Sequence, residues 1–309
     1  MERKLLVGVQ SGDWYNEADD EWSMRYAHEI GLEAIEFNMD HLINSAEYAK
    51  GKAFPLCDKP IDEFVAYYTP LKQASQKYGV KIAQMHAPFP IWQENDKETT
   101  AYLLQVLEKV CAVCAYIECS MLIVHPHNCK DKQEVIRANL EMYERLIPSA
   151  KKYGVTICLE NLLAMNGYEI VGGVCSDAEQ AVYLIDTLNE KAGEKVFGFC
   201  FDVGHANASG IDMRSFLNTL GERVTALHVH DNNGKSDAHL IPYTQIRDQW
   251  GVELGVDWEA FIGGLQDIEY KGSLMFETFR ATNHLPKPVE KDALTLILGI
   301  GKYFRDRIR

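Results

Sequence analysis

Short apolar runs alternate with longer amphipathic ones along the whole chain. Eight short runs, at 5–10, 34–38, 81–86, 121–125, 156–160, 197–202, 225–230 and 273–278, read as buried strands. Between them lie segments such as 61–78, 99–117, 134–153 and 178–188, whose apolar positions recur every three or four residues. That spacing gathers them on one face of a helix. Two of these segments end alike, in Lys77-Tyr78-Gly79-Val80 and Lys152-Tyr153-Gly154-Val155. A glycine there supplies the left-handed residue that closes a helix before the chain enters a buried strand. Strand and helix repeated in this way predict an α/β fold, a single (β/α)8 TIM barrel occupying residues 1–309 as one domain. A doubly wound sheet would need a glycine-rich phosphate loop after its first strand, and Gly8 and Gly12 do not make one. The least regular stretches, 40–59, 165–176 and 231–256, each follow a strand and so fall at one end of the barrel.

That same end collects the chemistry. His86 closes the third strand run, and His125 and His127 close the fourth. Glu160-Asn161 close the fifth and Asp202-Val203-Gly204-His205 the sixth. His228-Val229-His230-Asp231 close the seventh, with Asp237-Ala238-His239 in the loop beyond, and Glu277-Thr278 close the eighth. In a parallel barrel these ends open into one mouth, so residues far apart in sequence converge. Each also terminates an apolar run, as in Val155-Thr156-Ile157-Cys158-Leu159-Glu160. A carboxylate at the rim of a core is costly unless it is paired or bound to a cation. A lone strand-end histidine is commonly a hydrogen-bonded structural residue, and His127 and His41 are read that way. Oxygen and imidazole donors without thiolate suit one Mn²⁺, Mg²⁺, Co²⁺ or Zn²⁺ ion, and the donor set does not choose among them.

Composition narrows the class of partner. Residues 1–8 carry too short an apolar run for a signal peptide, and no apolar run approaches a membrane span, so a cytoplasmic protein without a membrane partner is expected. The eight cysteines are accordingly expected to be thiols. Cys111 and Cys114 form a CxxC within a helical apolar stretch, where core packing accounts for them. Cys119, Cys158 and Cys200 read as small buried hydrophobes. The formal net charge is −14, and the one Lys/Arg cluster, 302–309, looks like the last turn of a terminal helix. Nucleic acid is therefore not an expected partner.

The strand-end motifs resemble the xylose-isomerase-like barrels, which include sugar and sugar phosphate isomerases and epimerases, inosose dehydratases and endonuclease IV. The resemblance spans nearly the whole chain. It rests most on Leu159-Glu160-Asn161, Asp202-Val203-Gly204-His205, His228-Val229-His230-Asp231-Asn232 with Asp237-Ala238-His239, and Phe276-Glu277-Thr278. It implies that Glu160, Asp202, His228 and Glu277 hold one divalent ion, and that His205 contacts substrate oxygens. His86, His125, His230, Asp237 and His239 are then available to bind substrate or to support the ligands. The implied assembly is a homodimer built through mouth loops.

The reaction expected of such a site is proton transfer beside a carbonyl, through an enediolate of a carbohydrate, with Glu160 and Glu277 as the two catalytic carboxylates. An inosose-type dehydratase would use the same groups. The trinuclear zinc site of endonuclease IV also finds matching types here, at His86, His125, Glu160, Asp202, His205, His228, Asp237, His239 and Glu277. The chain departs from the resembled pattern after His239, where Leu240-Ile241-Pro242-Tyr243-Thr244-Gln245 opens a longer insertion in place of a short proline-glycine turn. Arg280, Lys235 and Arg247 are candidate phosphate contacts, each equally readable as a solvated charge. Trp14, Phe89 and Trp92 are candidates either to stack on a sugar or to wall the barrel.

Overall fold

The computed structural model describes residues 5–12, 14–49, 51, 54–129, 132–245 and 255–308. Among the described residues there are ten strands: β1 (Val7–Gln10), β2 (Ala34–Asn38), β3 (Lys81–His86), β4 (Met121–Ile123), β5 (Thr156–Glu160), β6 (Leu163–Asn166), β7 (Glu169–Gly172), β8 (Phe197–Asp202), β9 (Val224–His228) and β10 (Leu274–Phe276). Eight of them form one parallel sheet in the order β10-β1-β2-β3-β4-β5-β8-β9. A bridge between Val229 and Phe276, with Val229 N donating to Met275 O, joins the two ends. The result is the expected TIM barrel. Its strands are buried on both faces, which is why they read as continuous apolar runs rather than alternating ones. A small layer of Ile123, Cys158, Cys200 and Ala226 fills the barrel interior, and the larger core lies between strands and helices.

The helices begin and end where local chemistry requires. Gly79 (φ 69°) and Gly154 (φ 64°) take the left-handed conformation and close the helices Thr69–Tyr78 and Ile147–Tyr153. Two segments read as single helices are broken. The stretch 61–78 divides into Ile61–Ala66 and Thr69–Tyr78, and 134–153 into Lys132–Glu144 and Ile147–Tyr153. Pro70 and Pro148 sit in the first turns of the second helices, where a missing N–H costs nothing, and cannot sit inside a continuous one. A second difference lies after β5. Part of the stretch read as irregular, 165–176, belongs to an antiparallel hairpin of β6 and β7, turned at Gly167 (φ 66°).

The paired strands are shorter at their C-terminal ends than the apolar runs suggest. β4 stops at Ile123, β9 at His228 and β10 at Phe276, so His125, His230 and Glu277 stand just beyond the ladder. Cys57, Cys111, Cys114, Cys119, Cys158, Cys175 and Cys200 are buried and form no disulfide. Among the described residues, no helix is long and apolar enough to cross a membrane.

Candidate metal centre

Glu160 ends β5, Asp202 ends β8, His228 ends β9, and Glu277 follows β10. The barrel brings all four to one point. His228 Nδ1 lies 3.3 Å from Glu160 Oε1, 3.5 Å from Glu277 Oε2 and 3.8 Å from Asp202 Oδ2. These four side chains are buried, yet Nδ1 of His228 makes no hydrogen bond. Donor atoms about 2.0–2.2 Å from a common ion stand roughly 3–3.5 Å apart, so the spacing fits a shared cation. Orphaned buried nitrogens are rare, and three facing carboxylate oxygens make this one more anomalous still unless a cation lies between them. The residues fit a divalent ion.

Each ligand candidate is held by a local device. Asp202 caps the helix Val203–Ala208, its Oδ1 accepting from His205 N at 2.6 Å, which leaves Oδ2 toward His228. Asn161 locks the Asp202 backbone, donating Nδ2–H to Asp202 O and accepting from Asp202 N, both at 2.8 Å. Gln10 at the end of β1 donates Nε2–H to Glu277 Oε1 at 3.0 Å. Glu36, in the middle of β2, has its Oε2 2.9 Å from His228 Nε2.

Two further clusters flank this centre. On one side, Glu160 Oε2 lies 3.2 Å from His125 Nε2, which is 3.1 Å from His86 Nε2. His86 Nδ1 meets the backbone carbonyl of Ala87 at 2.9 Å, so Nδ1 carries the proton and the neutral ring accepts at Nε2. Burial and the adjoining His125 hold the His86 imidazole down at about 4. On the other side, His230 Nε2 lies 3.1 Å from Asp202 Oδ1 and its ring stacks on His239 at 4.0 Å. His239 Nε2 reaches Asp237 Oδ2 at 3.1 Å, and His205 Nε2 is 3.7 Å from Asp237 Oδ1. Gly204 is required here, because a Cβ on it would meet the His230 ring at 2.0 Å. Among the described residues, the groups able to hold a metal include His86–His125–Glu160, Asp202–His205–His230 and Glu36–His228–Glu277.

The electrostatics follow from burying many acids among imidazoles. Burial alone would raise the Glu160 carboxyl, but the facing His228 and His125 rings hold it well below the usual range. Glu277 is pushed well above it by burial, with Asp202, Glu160 and Glu36 adding to the effect of desolvation and His228 opposing it. Burial disfavours the His228 cation, yet Cys200, Glu36, Glu277 and Glu160 outweigh it and raise that imidazole well above its ordinary value. His205 is likewise carried up to about 10, burial opposing, by Asp202, Asp237 and Glu160. A divalent ion at Nδ1 would displace the His228 proton and lower the neighbouring carboxyl, since the ion becomes the dominant local charge.

Above the centre opens a cavity of about 370 Å³, lined by His86, His125, Glu160, His205, Asp237, His239 and Glu277, with Asp40, Phe89, Phe279 and Arg280 nearer its rim. Arg280 is exposed and lies over the Phe279 ring. Phe89 packs on His125 with ring centroids 4.6 Å apart. Trp14 is buried with its indole N–H on Gln10 O, so it walls the barrel, and Trp92 packs beneath Arg145. His127 joins none of these clusters; its backbone N–H is held by Asn139. His41 pairs with Glu17. Lys235 is exposed outside the cavity lining, and Arg247 lies outside the described residues. A larger open groove of about 1200 Å³ on the flank gathers no comparable cluster, since its Arg214 and Arg307 are spent in ion pairs with Asp267 and Glu259.

Sequence reasoning missed Glu36 and Gln10. Both had a signal: a charge inside the apolar run Ala34-Ile35-Glu36-Phe37, and a polar side chain closing β1.

Comparison with known proteins places the fold. The barrel superposes on D-psicose 3-epimerase in the presence of D-fructose with a TM-score of 0.71, at 13% identity, covering 97% of this chain and 99% of the other. A D-tagatose 3-epimerase-like protein gives 0.67 at 20% identity, with coverage of 97% and 99%. The IOLI protein with a bound zinc atom gives 0.68 at 16% identity, with coverage of 99% of each chain. At these identities the likeness is one of fold. In sequence, the chain is 25% identical to an uncharacterized protein of Methanocaldococcus jannaschii over 179 residues, 55% of this chain and 58% of that one. It is 30% identical to an uncharacterized protein of Sinorhizobium fredii over 105 residues, 34% of this chain and 31% of that one. The matches thus span little more than half, and about a third, of these relatives' own lengths. The family model for the xylose isomerase-like TIM barrel matches residues 24–297, most of the chain, and the protein belongs to that family.

Proposed function

We propose that the protein is a divalent-metal-dependent isomerase or epimerase of a sugar or sugar phosphate. The observation that carries this reading is the unpartnered Nδ1 of His228 facing three carboxylates beneath a cavity of about 370 Å³. Glu160, Asp202, His228 and Glu277 would hold the ion. When bound, a Mn²⁺, Mg²⁺, Co²⁺ or Zn²⁺ ion supplies positive charge that favours an enediolate over its carbonyl precursor. The volume falls within the roughly 300–1,000 Å³ of small-molecule sites. The solved epimerases of the same fold support a carbohydrate as substrate.

Proton movement belongs to the two glutamates. Glu160 Oε2 is the oxygen not facing His228; it makes no hydrogen bond, with His125 Nε2 3.2 Å away, and it is the atom that would accept a proton from the carbon beside the carbonyl. As that proton leaves, the C–H electron pair forms the C=C bond of the enediolate and the carbonyl π pair moves onto its oxygen. Glu277 directly follows β10, three strands farther round the barrel through β8 and β9, and returns a proton from another side. Return to the opposite face of the same carbon gives the epimer. One carboxylate serving two adjacent carbons gives the aldose–ketose change. His86, His125, His205, His230, Asp237 and His239 supply hydrogen-bonding groups for substrate hydroxyls or for the ligands, and Arg280 is placed to meet an anionic group entering the mouth.

Loss of water after the same proton abstraction would make the protein a dehydratase of inosose type. The flanking His86–His125–Glu160 and His205–Asp237–His239 groupings favour a trinuclear nuclease as a second reading, against which the charge of −14 speaks. Purified protein offered ketoses, aldoses, inososes and abasic DNA separates these. Interconversion of a sugar with its epimer or isomer supports the proposal, and a dehydrated product or DNA cleavage contradicts it.

A further inference from the structure

We infer that Glu36 is a positioning residue of the metal centre, fixing the tautomer of His228 so that Nδ1 is bare, with Gln84 locking Glu36 in that role. This rests on the metal-binding reading above. Glu36 is fully buried in β2, and does not line the mouth cavity, so it is not placed to touch substrate. A register shift between Ile35 and Glu36 sets Glu36 opposite Gln84 on β3. Such irregularities re-aim a side chain at the expense of a regular ladder.

The protons in this chain of contacts can be assigned. Gln84 Nε2 lies 3.1 Å from Leu227 O, a backbone carbonyl that can only accept, so the amide presents its NH₂ here. The same nitrogen donates to Glu36 Oε2, which is therefore an acceptor. Glu36 Oε1 is buried without a hydrogen-bond partner, so a proton placed there would have nothing to bond to. A proton shared between Oε2 and His228 Nε2 belongs to the imidazole, ordinarily the more basic of the two groups, so Glu36 is the carboxylate. His228 Nε2, 2.9 Å from Oε2, must then carry hydrogen. Once an ion has displaced the second imidazolium proton the remaining nitrogen is bare, and Nδ1 is the one aimed at Glu160, Asp202 and Glu277. A carboxylate behind a ligating histidine both orients the ring and raises its donor strength.

Glu36→Gln tests the inference with no change of size. The new amide must either place its NH₂ at the Oε2 position, where it faces both His228 Nε2 and the NH₂ of Gln84 and drives the imidazole proton onto Nδ1, or place it at the Oε1 position, where it is buried without a hydrogen-bond partner. Neither arrangement leaves Nδ1 bare at no cost. Calorimetric titration of chelator-stripped protein with Zn²⁺ and Mn²⁺ is expected to show affinity about 10–100-fold weaker than wild type, with the melting curve of the metal-free variant confirming its fold. Gln84→Met frees Glu36 without removing it, and is expected to cost less than Glu36→Gln. The tautomer can also be read with no variant. Long-range ¹H–¹⁵N spectra of the Zn²⁺-loaded wild type should show His228 protonated at Nε2 and ligating through Nδ1. Wild-type affinity in Glu36→Gln, or His228 ligating through Nε2, overturns the role of Glu36 and leaves the metal centre standing. A wild-type protein that takes up no divalent ion overturns both.

Discussion

His228 Nδ1 faces Glu160 Oε1 across 3.3 Å at the floor of the barrel mouth, and no hydrogen bond joins them. Ion-pair geometry without a shared proton is what a pair of ligands looks like around a common ion. Metal content is the first consequence. Elemental analysis of protein purified without chelator is expected to give about one divalent ion per chain, and stripping that ion should lower the melting temperature, because ligand binding to the folded state adds to its stability. Three zinc ions per chain, accompanied by cleavage of abasic DNA, would assign the flanking histidine clusters to a nuclease instead.

Glu160→Gln and Glu277→Gln preserve size and an oxygen donor while removing the proton-accepting charge. Each variant should fold as the parent does and lose turnover by about 10²–10⁴-fold, the usual range for general acid–base groups. Metal affinity should fall by a smaller factor than turnover. Equal loss of both would mean that the two glutamates serve as ligands alone.

His127 sits two residues from His125, yet joins none of the metal-capable groups. His127→Ala should leave turnover within about tenfold of the parent, since effects through supporting contacts are modest beside loss of a proton-transfer group. A steady-state assay suffices, and a collapse in kcat would place His127 in the chemistry.

Gly204→Ala should be disruptive out of proportion to one methyl group. The added carbon meets the His230 ring at 2.0 Å, and that ring is held by Asp202 and stacked on His239. Overpacking of this kind costs about 1–3 kcal/mol. Denaturant unfolding should show that loss, and an unchanged midpoint would mean that the ring has room to move.

Much of this architecture was readable beforehand, for identifiable reasons. Parallel strands covered on both faces leave unbroken apolar runs, and each run of this kind became a barrel strand. Acids and imidazoles that end such runs stand out, which is how Glu160, Asp202 and His228 were found; the structure gathers them with Glu277. Glu36 escaped because it lies inside a strand, where its role depends on a register shift that no local pattern encodes. The β6–β7 hairpin was hidden in a stretch without strong alternation, although Asn166-Gly167 is a turn signal. The helix breaks at Pro70 and Pro148 were likewise written in the chain, and were masked by apolar periodicity that continued across them.

The central claim is that Glu160 and Glu277 move a proton between substrate and solvent-exchangeable carboxyl groups. Its most direct test is turnover of a sugar that the metal-loaded protein converts, run in deuterium oxide and followed by NMR at the carbon beside the carbonyl. The account predicts deuterium in the product at that carbon, and loss of both product formation and exchange at that carbon in Glu160→Gln over the same time. Conversion by the parent protein with no deuterium incorporated would contradict it, pointing to a hydride passed directly between carbons and leaving the two glutamates as ligands alone.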